Sequence, residues 1–291
     1  MINVDEPLHL SAPLAWRLAP QLCHSDSVTQ QNCAWSHGIW QYLRLMGLGG
    51  SPAINADFYR HAFAAVTGSA GPPEILISGT ADYAMLAHVL PAFRQHGIEP
   101  LVTVVDICDT PLWFNRWYAE RMACRISTYR CDIAAFEASR TFDVICTHSF
   151  FGQIPHARRP ALLEAWQRLL RPGGVAISVD RLRPAAGEAP VGFSEQQART
   201  FCMAVERKAA AMRDSLQIDP VELAKGADVY TRRQRLYPVR TGEEIRALFE
   251  RGGFALDELA CGPNETGTRQ EDSGPAIPSN AEYARVIARR R

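Results

Sequence analysis

Glu74-Ile-Leu-Ile-Ser78, followed at once by Gly79-Thr-Ala-Asp-Tyr83, is the stretch whose reading decides the fold. A short apolar run without polar alternation suits a strand buried on both faces, and a glycine directly behind it permits a tight turn into a helix. Four more such runs follow: Leu101-Val-Thr-Val-Val105, Ile126 to Cys131, Phe142-Asp-Val-Ile-Cys146 and Val175-Ala-Ile-Ser-Val179. Amphipathic stripes separate them, among them Leu162, Leu163, Trp166, Leu169 and Leu170, which end at Arg171-Pro-Gly-Gly174. Thr110-Pro111 reads as an N-cap with proline in the first helical turn. Strands alternating with helices predict an α/β fold whose parallel sheet is wound on both faces.

Upstream, residues 1–73 read as a helical cap without a strong strand. Ser27 and Gln30 have capping-box spacing ahead of Trp35, Ile39, Leu43 and Met46, and Ser51-Pro52 starts another helix carrying Ile54, Phe58, Ala62 and Val66. Residues 74–181 form the sheet core, and 182–236 read as a helical insertion. There Ala198, Phe201, Cys202, Val205, Ala209 and Met212 share a helix period, and a second helix runs from Asp219 toward Arg233. The last part, 237–291, opens with the capping box Thr241-Gly-Glu-Glu244. It continues into a strand from Phe254 to Ala260, a loop over 261–280, and a final strand from Tyr283 to Ala288.

With 291 residues, 47% of them apolar, the chain can bury a large core. Basic and acidic residues balance at 31 each, so no overall field gathers phosphate backbones, and nucleic acid is not expected as a partner. The eight cysteines include no Cys-x-x-Cys pair, and buried reduced thiols fit better than a disulfide frame. No run of about 18 apolar residues would span a bilayer and the first residues lack signal-peptide features, so the expected address is the cytoplasm.

In a doubly wound sheet, ligands bind beyond the carboxyl ends of the strands. The residues there are Ser78, Gly79, Thr80, Ala81 and Asp82 after the first strand, Asp106 and Ile107 after the second, Asp132 and Ile133 after the third, and Thr147, His148, Ser149 and Phe150 after the fourth. An acid after the second strand suits a pair of ribose hydroxyls, and a polar–apolar pair after the third suits an adenine edge and face.

In this order, with Leu169-Leu-Arg-Pro-Gly-Gly-Val-Ala-Ile-Ser178 entering the fifth strand, the chain resembles the class I S-adenosylmethionine-dependent methyltransferases over roughly residues 74–180, with a weaker echo from 241 to 290. The resemblance implies a mainly parallel seven-stranded sheet with a closing hairpin and S-adenosylmethionine as cofactor. It also implies that Asp106 is the ribose acid and Asp132 the adenine-side acid. The family's first loop carries an acid in the strand and a Gly-x-Gly-x-Gly run. Here Ile77 stands in place of the acid, and Ala81 and Tyr83 replace the second and third glycines. Tyr83 must therefore point away from the methionine moiety or pack against it.

Methyl transfer asks for alignment and for removal of a proton from the acceptor. His148 stands where a base would serve, and equally where an imidazole simply holds a backbone carbonyl; His37 is the second candidate base. Trp35 and Trp40 either roof a substrate pocket or belong to the core, and Phe150, Tyr230 and Arg233 are further candidate substrate contacts. The histidines look scattered and no His-x-x-x-His occurs, so no metal is expected. The function expected is methylation of an oxygen or nitrogen of a small metabolite or natural-product intermediate. The alternatives are a non-catalytic cofactor- or nucleotide-binding regulator and, disfavoured by the missing glycine run, a nicotinamide-dependent oxidoreductase. The oligomeric state stays open, a homodimer being one option.

Overall fold

A computed structural model of the chain describes residues 4–24, 32–66, 71–266 and 282–291. Three helices come first, α1 (Leu8–Leu22), α2 (Ala34–Leu45) and α3 (Ala56–Ala64). The core then runs β1 (Glu74–Ser78), α4 (Ala84–Arg94), β2 (Leu101–Asp106), α5 (Asp109–Arg121), β3 (Ile126–Arg130), β4 (Phe142–His148), α6 (Arg159–Leu169) and β5 (Leu170–Arg181). The insertion supplies α7 (Glu195–Ala211), α8 (Arg213–Leu216) and α9 (Pro220–Arg233), and the chain closes with α10 (Gly242–Arg251), β6 (Phe254–Pro263) and β7 (Glu282–Arg290).

All seven strands form one sheet in the order β3-β2-β1-β4-β5-β7-β6. Strands β1 to β5 pair in parallel, and β7 runs antiparallel between β5 and β6. The strand order reverses beside β1, which pairs β2 on one side and β4 on the other, and the carboxyl ends of these three strands are where open α/β sheets place their ligands.

Strand alternation sorts the core into two layers. Ile75 and Ile77 pack with residues of α3, α4 and α5, whereas Leu76 faces the opposite cluster with Leu163 and Trp166 of α6 and Phe249 of α10. Each of these fully buried aliphatic side chains is worth about 1.5–3 kcal/mol, so a one-residue slip of β1 would forfeit several at once. The Arg171-Pro-Gly-Gly174 segment is not a connector: it is already part of β5, beside a register shift against β4. A Cβ on Gly174 would lie 3.0–3.1 Å from three carbonyl oxygens, which is why a glycine stands there.

The helices outside the sheet core pack on one another. Ala12 of α1, Ile39, Tyr42 and Leu43 of α2, Phe201 and Val205 of α7, and Leu223, Ala227 and Tyr230 of α9 share a third cluster, fixed further by the Tyr42 hydroxyl donating to the Leu216 carbonyl at 2.9 Å. Helices α1 and α2 and the insertion therefore build one apolar layer, while α3 packs on the sheet.

Several local expectations need correcting. Helix α1, with Pro13 and Pro20 inside it, lacks the punctuation that would single it out. α5 begins at Asp109 with Cys108 as N-cap, one residue before the Thr110-Pro111 signal. At α10, Thr241 caps the Glu244 N–H at 3.1 Å, but the Glu244 carboxylate bonds the Arg240 N–H and Arg159 instead of closing the box. β6 reaches Pro263, so the loop expected from 261 begins later. The Ser27–Gln30 box lies outside the described residues.

Candidate active site at the carboxyl edge of the sheet

The turn after β1 is held by its own polar groups. Gly79 has φ +69°, and its N–H bonds the Val105 carbonyl at 2.9 Å. A side chain at 79 would be strained by that backbone, and it would also collide with Phe150, whose Cε2 lies 2.2 Å from where a Cβ would sit. Phe150 thus packs directly against the glycine of this turn. The Asp82 carboxylate caps α4 through the Ala84 N–H (2.8 Å) and pairs with Arg44 of α2 at 2.6 Å; Arg44 also meets Glu6. Removing one partner of this buried triad would leave an unpaired charge, at a cost of about 3–5 kcal/mol.

Tyr83, in the place of the third glycine, is fully buried. Its ring stacks on Tyr118 (centroids 4.7 Å, planes 3° apart), and its hydroxyl meets Ser11 at 2.9 Å. It therefore points away from the strand-end crevice, into the seam between α1 and α5. Ser78 is also withdrawn: it is 0% exposed and its hydroxyl accepts from the Trp166 indole at 3.0 Å, so its side chain is structural. Ala81 is exposed at the rim.

Asp106 ties the first two strand ends together. One carboxylate oxygen accepts the Thr80 N–H at 2.9 Å and the other the Cys108 N–H at 2.8 Å. Burial pushes its pKa up to about 6, against the two N–H bonds, which pull it down. Each oxygen keeps a second lone pair, the provision a vicinal diol requires. Ile107 beside it is 74% exposed, an apolar side chain with no core partner. Asp132 caps the short turn Ile133–Ala135 through the Ala134 N–H (3.0 Å) and pairs with Arg158, while Ile133 is buried against the α6 side of the sheet.

At the end of β4, Ser149 takes the left-handed backbone region (φ +53°) with its N–H on the Val179 carbonyl at 2.7 Å, strain of the kind that collects at functional sites. Buried Asp180 steadies the next residues: it accepts the Phe151 N–H at 3.0 Å and the Ser178 hydroxyl at 2.5 Å, and burial pushes its pKa up to about 6. The His148 Nδ1 lies 3.0 Å from the Tyr59 hydroxyl, which donates its proton to the Thr147 carbonyl at 2.8 Å. With the tyrosine proton on that carbonyl, Nδ1 carries the imidazole hydrogen and donates it to the tyrosine oxygen. Nε2 is then a bare lone pair, and it has no protein partner, nor does the buried Thr147 Oγ1. Burial, followed by the nearby charges of His88 and Arg44, lowers the His148 pKa to about 3, so the ring is neutral at physiological pH.

The remaining candidates fall elsewhere. Trp35 and Tyr230 lie 5.8 Å apart in a cluster with Phe193 and Phe201, and Trp40 packs on the same layer, which makes them part of that layer's own core. Arg233 is exposed at the end of α9. His37 is not beside β4; its Nδ1 lies 3.4 Å from the sulfurs of both Cys23 and Cys108. The histidines and cysteines are therefore not all scattered, because Cys23, Cys33, His37 and Cys108 converge with every ligand atom within 4.8 Å of the others. Sequence spacing missed Tyr59, Arg44 and Asp180, since each acts across more than one element. The Cys33–His37 spacing of four on one helix was a legible signal.

Residues 86–174 match the family described as methyltransferase domain. No curated protein matches the chain. Among solved structures, the chain is similar to the 1,6-didemethyltoxoflavin-N1-methyltransferase of Burkholderia thailandensis, with TM-score 0.50 and 17% identity over 80% of this chain and 78% of the other. It is also similar to the N-methyltransferase NodS of Bradyrhizobium japonicum, with TM-score 0.49 and 13% identity over 87% and 98% of the two chains. At such identities the likeness is one of fold. The sheet of this chain thus shares the fold of the first of these methyltransferases, and within it residues 86–174 match the methyltransferase-domain family.

Proposed function

We propose that the protein transfers a methyl group from S-adenosylmethionine to an oxygen or nitrogen of a small metabolite or natural-product intermediate. The observation that carries this reading is the pairing of the Asp106 carboxylate with the Thr80 N–H, which fixes a diol-accepting acid against the glycine turn at the strand-order reversal. Asp106 would hold the ribose, Ile107, Asp132 and Ile133 the adenine side, and the Gly79–Asp82 turn with Thr147 the methionine end. S-adenosylmethionine supplies a methyl group made electrophilic by its sulfonium. What the chain itself does is align and desolvate: the α1–α2–α7–α9 layer shields the edge from water and shapes the acceptor pocket. His148 Nε2, bare and neutral, accepts a hydrogen bond from the acceptor's O–H or N–H and so orients the nucleophile's lone pair. Its depressed basicity suits it to orient the proton more than to carry it away.

Calorimetry with S-adenosylmethionine, S-adenosylhomocysteine and NADH tests the cofactor assignment, and a panel of amines, phenols and carboxylates with methyl-labelled cofactor tests the transfer. Tight binding of the adenosyl compounds and labelled product are expected. Preference for the nicotinamide would overturn the reading, and adenosyl binding with no transfer across the panel would return the chain to a non-catalytic sensor.

A further inference from the structure

We propose that Cys23, Cys33, His37 and Cys108 form a tetrahedral zinc site that clamps the N-terminal helices to the sheet core beside Asp106. The geometry carries the assignment. The Cys33 and Cys108 sulfurs lie 3.5 Å apart, Cys108 and Cys23 3.6 Å, and His37 Nδ1 is 3.4 Å from both Cys23 and Cys108. A tetrahedral ion with bonds of about 2.3 Å to sulfur and about 2.0 Å to nitrogen has edges of about 3.8 Å between sulfurs and about 3.5 Å between sulfur and nitrogen. The four donors therefore already stand near the corners such an ion demands.

Their placement suits a fixed site. Cys23 follows the last turn of α1, Cys33 is the N-cap of α2 with His37 one turn further along the same helix, and Cys108 is the N-cap of α5. The buried Thr110 hydroxyl lies 3.0 Å from the Cys23 sulfur, where it can donate to a thiolate and orient it. A disulfide would use two of the three sulfurs and leave the third and the imidazole facing it, whereas one four-coordinate ion uses all four. Three thiolates and an imidazole, with no position left for water, are a structural zinc set. Because the Cys108 N–H is also a donor to Asp106, metal occupancy would steady the acid that faces the crevice.

The test is metal analysis of the full chain purified under reducing conditions, followed by removal of metal with a chelator and titration with cobalt(II). Expected are about one zinc per chain, the sulfur-to-cobalt charge-transfer and d–d bands of a tetrahedral thiolate site, and three thiols released to a thiol reagent on chelation. Cys33→Ser should lower metal content at least tenfold, and Cys261→Ser, at an exposed cysteine on β6, should leave it unchanged. Wild-type retention of metal in Cys33→Ser, or failure of the reduced wild-type protein to take up zinc or cobalt, overturns the proposal, whether the thiols are then free or paired through Cys108. If Cys33→Ser does not fold, the cobalt spectrum and thiol count of the wild-type chain decide.

Discussion

Replacing Asp106 by asparagine separates the fold's need for this side chain from the cofactor's. In the folded protein the carboxylate has a pKa of about 6, above its ordinary 3.8. At neutral pH the fold therefore carries the cost of a buried charge, which is at most about 3 kcal/mol at about 1.4 kcal/mol per pH unit. Asparagine removes that cost. It also turns one of the two acceptors toward Thr80 N–H and Cys108 N–H into a donor, losing a charge-assisted hydrogen bond of about 1.5–3 kcal/mol. The two effects nearly cancel, so stability at pH 8, measured by urea unfolding, should change by no more than about 1.5 kcal/mol.

The pH dependence of stability gives a sign to check. An acid whose folded pKa is raised contributes stability that is full below pH 3.8 and is lost as pH rises through about 6, because the native state there binds more protons than the unfolded chain. Asp180 adds a loss in the same window, whereas His148 and His88, whose pKa values are lowered to about 3 and about 4, add a gain as pH rises, so the sign is read from the difference: between pH 4 and 6 wild-type stability should change by about 1.4 kcal/mol per pH unit less favourably than that of Asp106→Asn. Binding behaves differently. Loss of a charged acceptor for the ribose should weaken S-adenosylhomocysteine roughly 10- to 150-fold by calorimetry. Wild-type affinity should fall by up to about tenfold per pH unit below pH 6 and that of the variant should stay flat. An asparagine variant that binds as tightly as wild type, or a wild-type dissociation constant constant from pH 5 to 8, would refute the assignment.

His148→Ala should lower kcat by about a hundredfold with cofactor affinity kept within about twofold, and no limb from this imidazole should appear in the rate profile between pH 5 and 8. Tyr59→Phe, which removes the acceptor of the Nδ1 proton, should lower kcat by a smaller factor in the same direction, about tenfold for a hydrogen bond worth about 1.4 kcal/mol. Gly79→Ala should cost about 2 kcal/mol or more in urea unfolding, from its positive φ and the collision with Phe150; a neutral result would mean the turn relaxes. Tyr83→Phe should cost about 1 kcal/mol for the Ser11 hydrogen bond and leave S-adenosylhomocysteine affinity unchanged, and a several-fold loss would place that side chain at the cofactor.

Strands β1, β2, β4 and the second half of β5 were legible because each is an apolar run whose two-face burial leaves no alternation to misread, and the residues at their ends follow from topology. Asp106 at the crevice is of this kind. The inward turn of Tyr83 was not legible, because it depends on Tyr118 and Ser11 lying 35 and 72 positions away along the chain. His148 was visible as a residue, but its tautomer is set by Tyr59 on a helix before the sheet. The sulfur–imidazole cluster hid for the same reason. Two of its members are a helical turn apart, but Cys23 and Cys108 come from α1 and α5 and share no motif with them. Arg171-Pro-Gly-Gly174 misled in the other direction, since Gly174 serves a close approach of backbones inside β5 and not a turn before it.

The position of β7 bears on how the molecule is made. The last strand in chain order is not at an edge of the sheet; it sits between β5 and β6, and its pairing with β5 covers Val175 to Arg181. While the chain is being synthesised, β5 therefore waits with an open, apolar flank until residues after 282 have emerged, a period in which it can pair with a neighbouring copy. Expression yield should thus hinge on residues 282–291: removing them would strip the sheet of an interior member, leave β6 without its partner, and send the nascent protein toward aggregates even though every residue at the ends of β1, β2 and β4 is intact.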